Sequence, residues 1–209
     1  MRIISTITAT AVVLGVTAAV AVAHSQADGY AAPAQMAGMS MPASHSAAGA
    51  SLPARQIARA RVATAKYAND LAAAKADGYG ILTQKIAGMG YHFINPAVKG
   101  FDVTKPAILV YEKHGSRWQL GALEWVFPSK PATPPLQGAQ YGSFPAACHY
   151  KDGTFTTEPS AAACPTKSPQ SGAAFNFWHP KLVTMHVWTW YPNPNGMYAS
   201  MNPLVTAFS

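Results

Sequence analysis

Charge is scarce in this chain: only 11% of its 209 residues are Asp, Glu, Lys or Arg. Coiled coils and charge-solvated disordered proteins need far more, so neither class fits. Acid is scarcer than base, 8 residues against 15, leaving a formal net charge of +7. Of the basic residues only Arg55, Arg59 and Arg61 lie close together. They make no phosphate-tracking stripe, and nucleic acid is not an expected partner. Such a surface is compatible with contact to an anionic cell-wall polymer or a membrane surface. Cysteine is rarer still: Cys148 and Cys164 are the pair, too few and too far apart for a thiolate zinc site or a CxxC redox motif. Also missing are the nucleophile elbow, the zincin helix, the phosphate loop and the dinucleotide fingerprint.

What is present begins with an address. Residues 1–23 carry one positive charge at Arg2, a charge-free apolar run from Ala9 to Ala23, and two overlapping Ala-x-Ala sites, Ala19-Val20-Ala21 and Ala21-Val22-Ala23. That is the pattern of a secretory signal peptide, and cleavage at the second site makes His24 the new N-terminus. No second apolar run of spanning length follows, so no transmembrane segment is expected after cleavage. The protein is expected outside the cytoplasm, secreted to the periplasm or the extracellular space. In that compartment Cys148 and Cys164 are expected to form one disulfide, worth roughly 3 kcal/mol in the chain-entropy model for a loop of about 15 residues.

Residues 24–50 are almost entirely Ala, Ser, Gly, Met, Pro and His and predict a disordered tail. Within it QMAGMSMPASH sets Met36, Met39, Met41 and His45 where there is no core for methionine to fill. Thioethers are soft ligands suited to Cu(I), and a flexible chain can gather three of them around one ion. The remaining residues, 51–209, have the size of one domain.

That domain predicts an α+β fold: one mostly antiparallel sheet, an N-terminal amphipathic helix packed on it, and long loops tied by the disulfide. Ile57, Ala60, Thr64, Tyr67, Leu71 and Ala74 recur at helical spacing, with start signals at Ser51-Leu52-Pro53 and a stop at Asp77-Gly78. Thr64 fits the apolar stripe if its hydroxyl bonds back to the preceding turn. Alternating runs at Met89–Ile94, Ala107–Glu112, Trp118–Phe127 and Leu182–Tyr191 predict strands, the second and third joined as a hairpin through Lys113-His114-Gly115-Ser116. From Pro128 to Pro180 the Pro, Gly and Ser content predicts irregular loops.

Splitting each strand into its two faces isolates three polar residues among apolar neighbours: His92, Glu124 and His186. A desolvated carboxylate needs a partner, and two imidazoles with one carboxylate form a facial ligand set with open positions on Cu, Fe, Mn or Zn. The alternative is a hydrogen-bonded Glu–His pair that binds nothing. His114, His149 and His179 are expected as exposed loop residues, and Met185, Met197 and Met201 as core filling. The Asn-Pro and Asn-Gly pairs of YPNPNGMYASMNP predict turns made by asparagine side chains bonding their own backbone.

The stretches MGYHFINP, PAILVYE, LGALEWVF and HVWTWYPNPNGMYASMNP, with the helix motif ATAKY at Ala63–Tyr67, resemble a family of exported bacterial proteins of uncharacterised activity. The resemblance covers most of the chain from about Arg59 and implies a shared fold. It also implies that His92, Glu124 and His186 stand at that family's recurring His, Glu and His positions. Relatives often carry a histidine just after the ATAKY motif, where this chain has Ala68-Asn69, and a cysteine before MGxH, where it has none. These residues point first to a secreted copper-binding protein; the alternatives are a mononuclear metal-dependent enzyme and a non-catalytic binding module whose 5 tryptophans and 9 tyrosines form a face for glycans or peptides.

Overall fold

The computed structural model describes residues 51–205, which form two α-helices and nine strands. The expected signal peptide and tail, including Met36, Met39, Met41 and His45, lie outside the described residues.

The predicted single helix is interrupted. Helix α1 runs Leu52–Thr64, a 3-10 turn follows at Ala65–Tyr67, and α2 occupies Leu71–Ala76. Two local choices compete with a continuous helix. Asp70 caps α2 by accepting from the Ala73 backbone N–H at 2.9 Å, and the carbonyls released at the break are taken up by the sheet. Tyr111 Oη donates to the Tyr67 carbonyl at 2.9 Å, and the Leu120 N–H donates to the Ala68 carbonyl at 2.8 Å. Thr64 Oγ1 donates back to the Ala60 carbonyl at 2.8 Å and accepts from Trp190 Nε1 at 3.0 Å, so the polar member of the stripe is satisfied. Asp77-Gly78 ends α2 as expected: Gly78 has φ +95°, the Tyr79 N–H reaches the Ala74 carbonyl and the Gly78 N–H the Lys75 carbonyl. That is the Schellman arrangement, which needs the left-handed residue glycine supplies.

Six strands form the main antiparallel sheet: β1 (Gly80–Ile86), β2 (Gly90–Ile94), β3 (Ile108–His114), β4 (Arg117–Phe127), β5 (Gly142–Phe144) and β9 (Leu182–Val187), in the order β1-β2-β3-β4-β9-β5. The hairpin expected at Lys113–Ser116 joins β3 to β4. A second, three-stranded antiparallel sheet holds β6 (Ala147–Tyr150) between β7 (Phe155–Thr157) and β8 (Phe175–His179). It replaces much of the loop expected over 128–180. Strands of three to five residues among Pro, Gly and Ser are too short to show a period, and only pairing reveals them. The Cys148–Cys164 disulfide is formed, tying buried β6 to the segment after a 3-10 turn at Ala161–Ala163. Strand β1, directly after α2, was also not expected. The last strand stops at Val187, short of Tyr191, because the Trp188 N–H turns to the Met197 carbonyl and those of Trp190 and Tyr191 to the Gly121 carbonyl.

The two faces of the main sheet differ. One face carries Phe93, Leu109, Tyr111, Leu123, Trp125, Met185 and Val187, all buried in the larger core with Tyr67, Leu71 and Ala74. The opposite face carries Ile108, Val110, Ala122 and Trp188 in a smaller cluster, and it also carries the polar residues of interest. Met185 fills the core as expected, but Met197 and Met201 are exposed. They lie in the turn-rich C-terminal segment, where Asn193 and Asn202 side chains accept from the N–H groups of Asn195 and Leu204.

Candidate metal centre

Strand register brings the three candidates together. Glu124 on β4 pairs directly with His186 on β9 and, on its other side, with Ile108 on β3; His92 on β2 pairs with Val110. Antiparallel partners share a face, so all three side chains rise from the same side. His92 and Glu124 are two strands apart, about 10 Å along a flat sheet, and meet only because the sheet curls and both side chains lean over β3. His92 Nε2 lies 3.8 Å from Glu124 Oε2, and His186 Nε2 lies 3.5 Å from Glu124 Oε1. One ligand atom from each residue falls within 4.8 Å of the others.

None of these contacts is a hydrogen bond. A nitrogen and a carboxylate oxygen at 3.5 and 3.8 Å are beyond bonding range, so the hydrogen-bonded Glu–His pair is not made. His92, Glu124 and His186 are 4%, 3% and 3% exposed, and both ring nitrogens of His186 are buried without a partner. Desolvated polar groups left unsatisfied cost about 1–3 kcal/mol each. Ligands bound cis to one ion at about 2.1 Å stand roughly 3–3.5 Å apart, so small side-chain rotations bring this set onto an ion.

The surroundings set the protonation of His92 and Glu124. His92 Nδ1 lies 2.8 Å from the buried Thr83 Oγ1; a hydroxyl that accepts there holds the proton on Nδ1 and leaves the Nε2 lone pair facing Glu124. Burial, aided by His186, holds His92 down at about 3, so the ring is neutral at ordinary pH. Burial also raises the Glu124 carboxyl above the usual carboxylate range, while His186 and a hydrogen bond from Thr184 work in the opposite sense. A cation is the partner that would hold this carboxylate ionised. A cavity of about 130 Å³ opens over the cluster, walled in part by Thr83, Met89, Phe144 and Thr184. Met89 is a cavity residue that sequence reasoning missed, although it stands three positions before His92.

The other histidines correct an expectation. His149 and His179 are buried, not exposed in loops, because β6 and β8 form the second sheet. Their Nε2 atoms lie 3.0 Å apart; His149 Nδ1 faces the Leu82 carbonyl at 2.9 Å and His179 Nδ1 the Pro180 carbonyl at 2.7 Å. His149 stacks on Phe177 with ring centroids 4.9 Å apart, and burial holds it down at about 4. His114, at the end of β3, is half-buried. Glu112 is a second buried carboxylate with neither oxygen hydrogen-bonded, visible in AILVYE but not singled out from it. It packs beside Gly90, where an added Cβ would fall 2.6 Å from Glu112 Oε1.

No family model, no curated protein and no solved structure matches this chain. Among the described residues no helix is long and apolar enough to cross a membrane.

Proposed function

We propose that this protein is an exported metalloprotein that holds one transition-metal ion between His92, Glu124 and His186. The carrying observation is a buried carboxylate faced by two buried imidazoles at distances that exclude direct hydrogen bonds, with His186 lacking any other partner. Three protein ligands leave coordination positions toward the cavity, where a bound ion polarises a substrate oxygen or lowers the pKa of bound water. A mononuclear metal-dependent enzyme is therefore the reading the geometry supports best. Export is supported by the disulfide and by the N-terminal pattern.

Copper handling is a second reading, and one observation favours it: Met89, whose side chain ends in a soft thioether, is among the residues that line the same cavity. In that reading Met36, Met39, Met41 and His45 deliver Cu(I) to the domain. Calorimetric titration of the full chain with Zn(II), Fe(II), Mn(II) and Cu(II), and with Cu(I) under anaerobic conditions, tests both. One ion per chain, lost in His186→Ala, supports the centre; binding that survives His186→Ala and Glu124→Gln removes it.

A further inference from the structure

A cavity of about 740 Å³ lies on the same sheet face as the metal cluster. Four strands contribute to both places, with residues two positions apart: Thr83 and Ile81 on β1, His92 and Ile94 on β2, Glu124 and Val126 on β4, Thr184 and Leu182 on β9. Two residues along a strand span about 7 Å, so the large cavity adjoins the cluster. The divider is thin. Phe144 lines the small cavity and packs, ring centroids 4.9 Å apart, against His179, which lines the large one.

The wall tells what the cavity would take. Ile81, Ile94, Val98, Val126, Phe177 and Leu182 line it and are only partly buried. The polar side chains among them are turned away from it: Asn95 Nδ2 donates to the Asp77 carbonyl at 2.8 Å, Asn95 Oδ1 accepts from the Ala97 N–H at 3.0 Å, and His179 directs Nδ1 at the Pro180 carbonyl and Nε2 at His149 Nε2. Lys99 and Asn176 stand exposed at the rim. The interior offers a ligand apolar contact and few hydrogen bonds. Its volume falls inside the roughly 300–1,000 Å³ of small-molecule sites, and open apolar surface of this kind gains about 25 cal/mol per Å² when covered.

We propose that this cavity seats an apolar small molecule with one polar end that reaches the ion held by His92, Glu124 and His186. It names the substrate class of the proposed centre, and rests on that centre for the polar end. Apolar substrates would enter past the 95–100 loop and be held by shape and burial, with the metal supplying the directional contact.

Co(II) loading of the full chain, read by its visible absorption, supplies the test, with imidazole and 4-phenylimidazole as probes. Both carry the same metal-binding nitrogen; only the second has an apolar body. The proposal expects 4-phenylimidazole to shift the cobalt bands at a concentration at least about tenfold lower than imidazole. Gly80→Trp should erase that preference and keep the cobalt bands. Gly80 lines the cavity without a positive φ, and a Cβ there meets nothing within 4 Å. Val98→Trp fills the same space from the loop side and serves if the first variant does not fold. Equal response to the two probes, or a preference that survives the filled cavity, overturns the proposal while leaving the metal centre standing. Absence of cobalt bands in the unmodified chain overturns the metal centre itself, and the substrate assignment falls with it.

Discussion

Two buried histidine groups lie close together in this molecule, and only one of them includes a carboxylate. On the second sheet both Nδ1 atoms of His149 and His179 donate to carbonyls, at 2.9 and 2.7 Å, so two neutral rings leave their Nε2 lone pairs facing each other at 3.0 Å. On the main sheet, neither nitrogen of His186 is hydrogen-bonded and Glu124 stands 3.5 and 3.8 Å from the nitrogens it faces. Even their support is adjacent: the Leu82 carbonyl bonds His149, and the next residue, Thr83, bonds His92. Burial is common to both groups and so identifies neither. Unmet nitrogen lone pairs occur in both groups too; a carboxylate that converges with two imidazoles on one small cavity is what marks the main-sheet cluster as the candidate metal site.

Charge removal should break this contrast most strongly. Glu124→Gln keeps the shape but removes the anionic ligand, and metal affinity should fall at least about hundredfold in a chelator competition. His149→Ala should leave affinity within about threefold. Stability reverses the order: His149→Ala removes a stacked ring and the bond to the Leu82 carbonyl, and should cost about 2–4 kcal/mol in urea unfolding of the metal-free chain. Equal loss of metal in both variants would merge the two groups into one site.

Acid should act on both groups, and variants separate their shares. His92 is held at about 3 when folded against an ordinary 6.5, so between these values the unfolded chain binds more protons. Metal-free stability is complete above pH 6.5 and should fall as the pH drops toward 3, by up to about 1.4 kcal/mol per pH unit from this group. Urea midpoints at pH 7, 6 and 5 measure the slope; His92→Asn should remove the share due to this group and leave the share due to His149, which is held at about 4. The smallest effect belongs to Thr83→Val, which removes the hydroxyl beside His92 Nδ1 and should weaken metal binding about tenfold without moving its stoichiometry.

Much of the main sheet was legible because its strands are long enough to alternate. In LGALEWVF, Glu124 interrupts an apolar face, and that interruption led to the site. Convergence was not legible, since His92 meets Glu124 over an intervening strand through the curl of the sheet, which no spacing encodes. The second sheet was hidden for a different reason. Its three- to five-residue strands sit among turn residues, and His149, next to a cysteine, and His179, before a proline, carry the local marks of loop residues. Strand β1 was obscured by the charged and polar members of ILTQKI, although Thr83 within it orients His92. The helix break depended on sheet atoms that accept no description in a helical period: Tyr111 Oη and the Leu120 N–H.

The most direct measurement is anomalous diffraction from crystals of the metal-loaded protein, recorded at the absorption edge of the bound ion. The account predicts one strong peak about 2.1 Å from His92, Glu124 and His186. A peak between His149 and His179, or none on the face that carries Glu124, would contradict it.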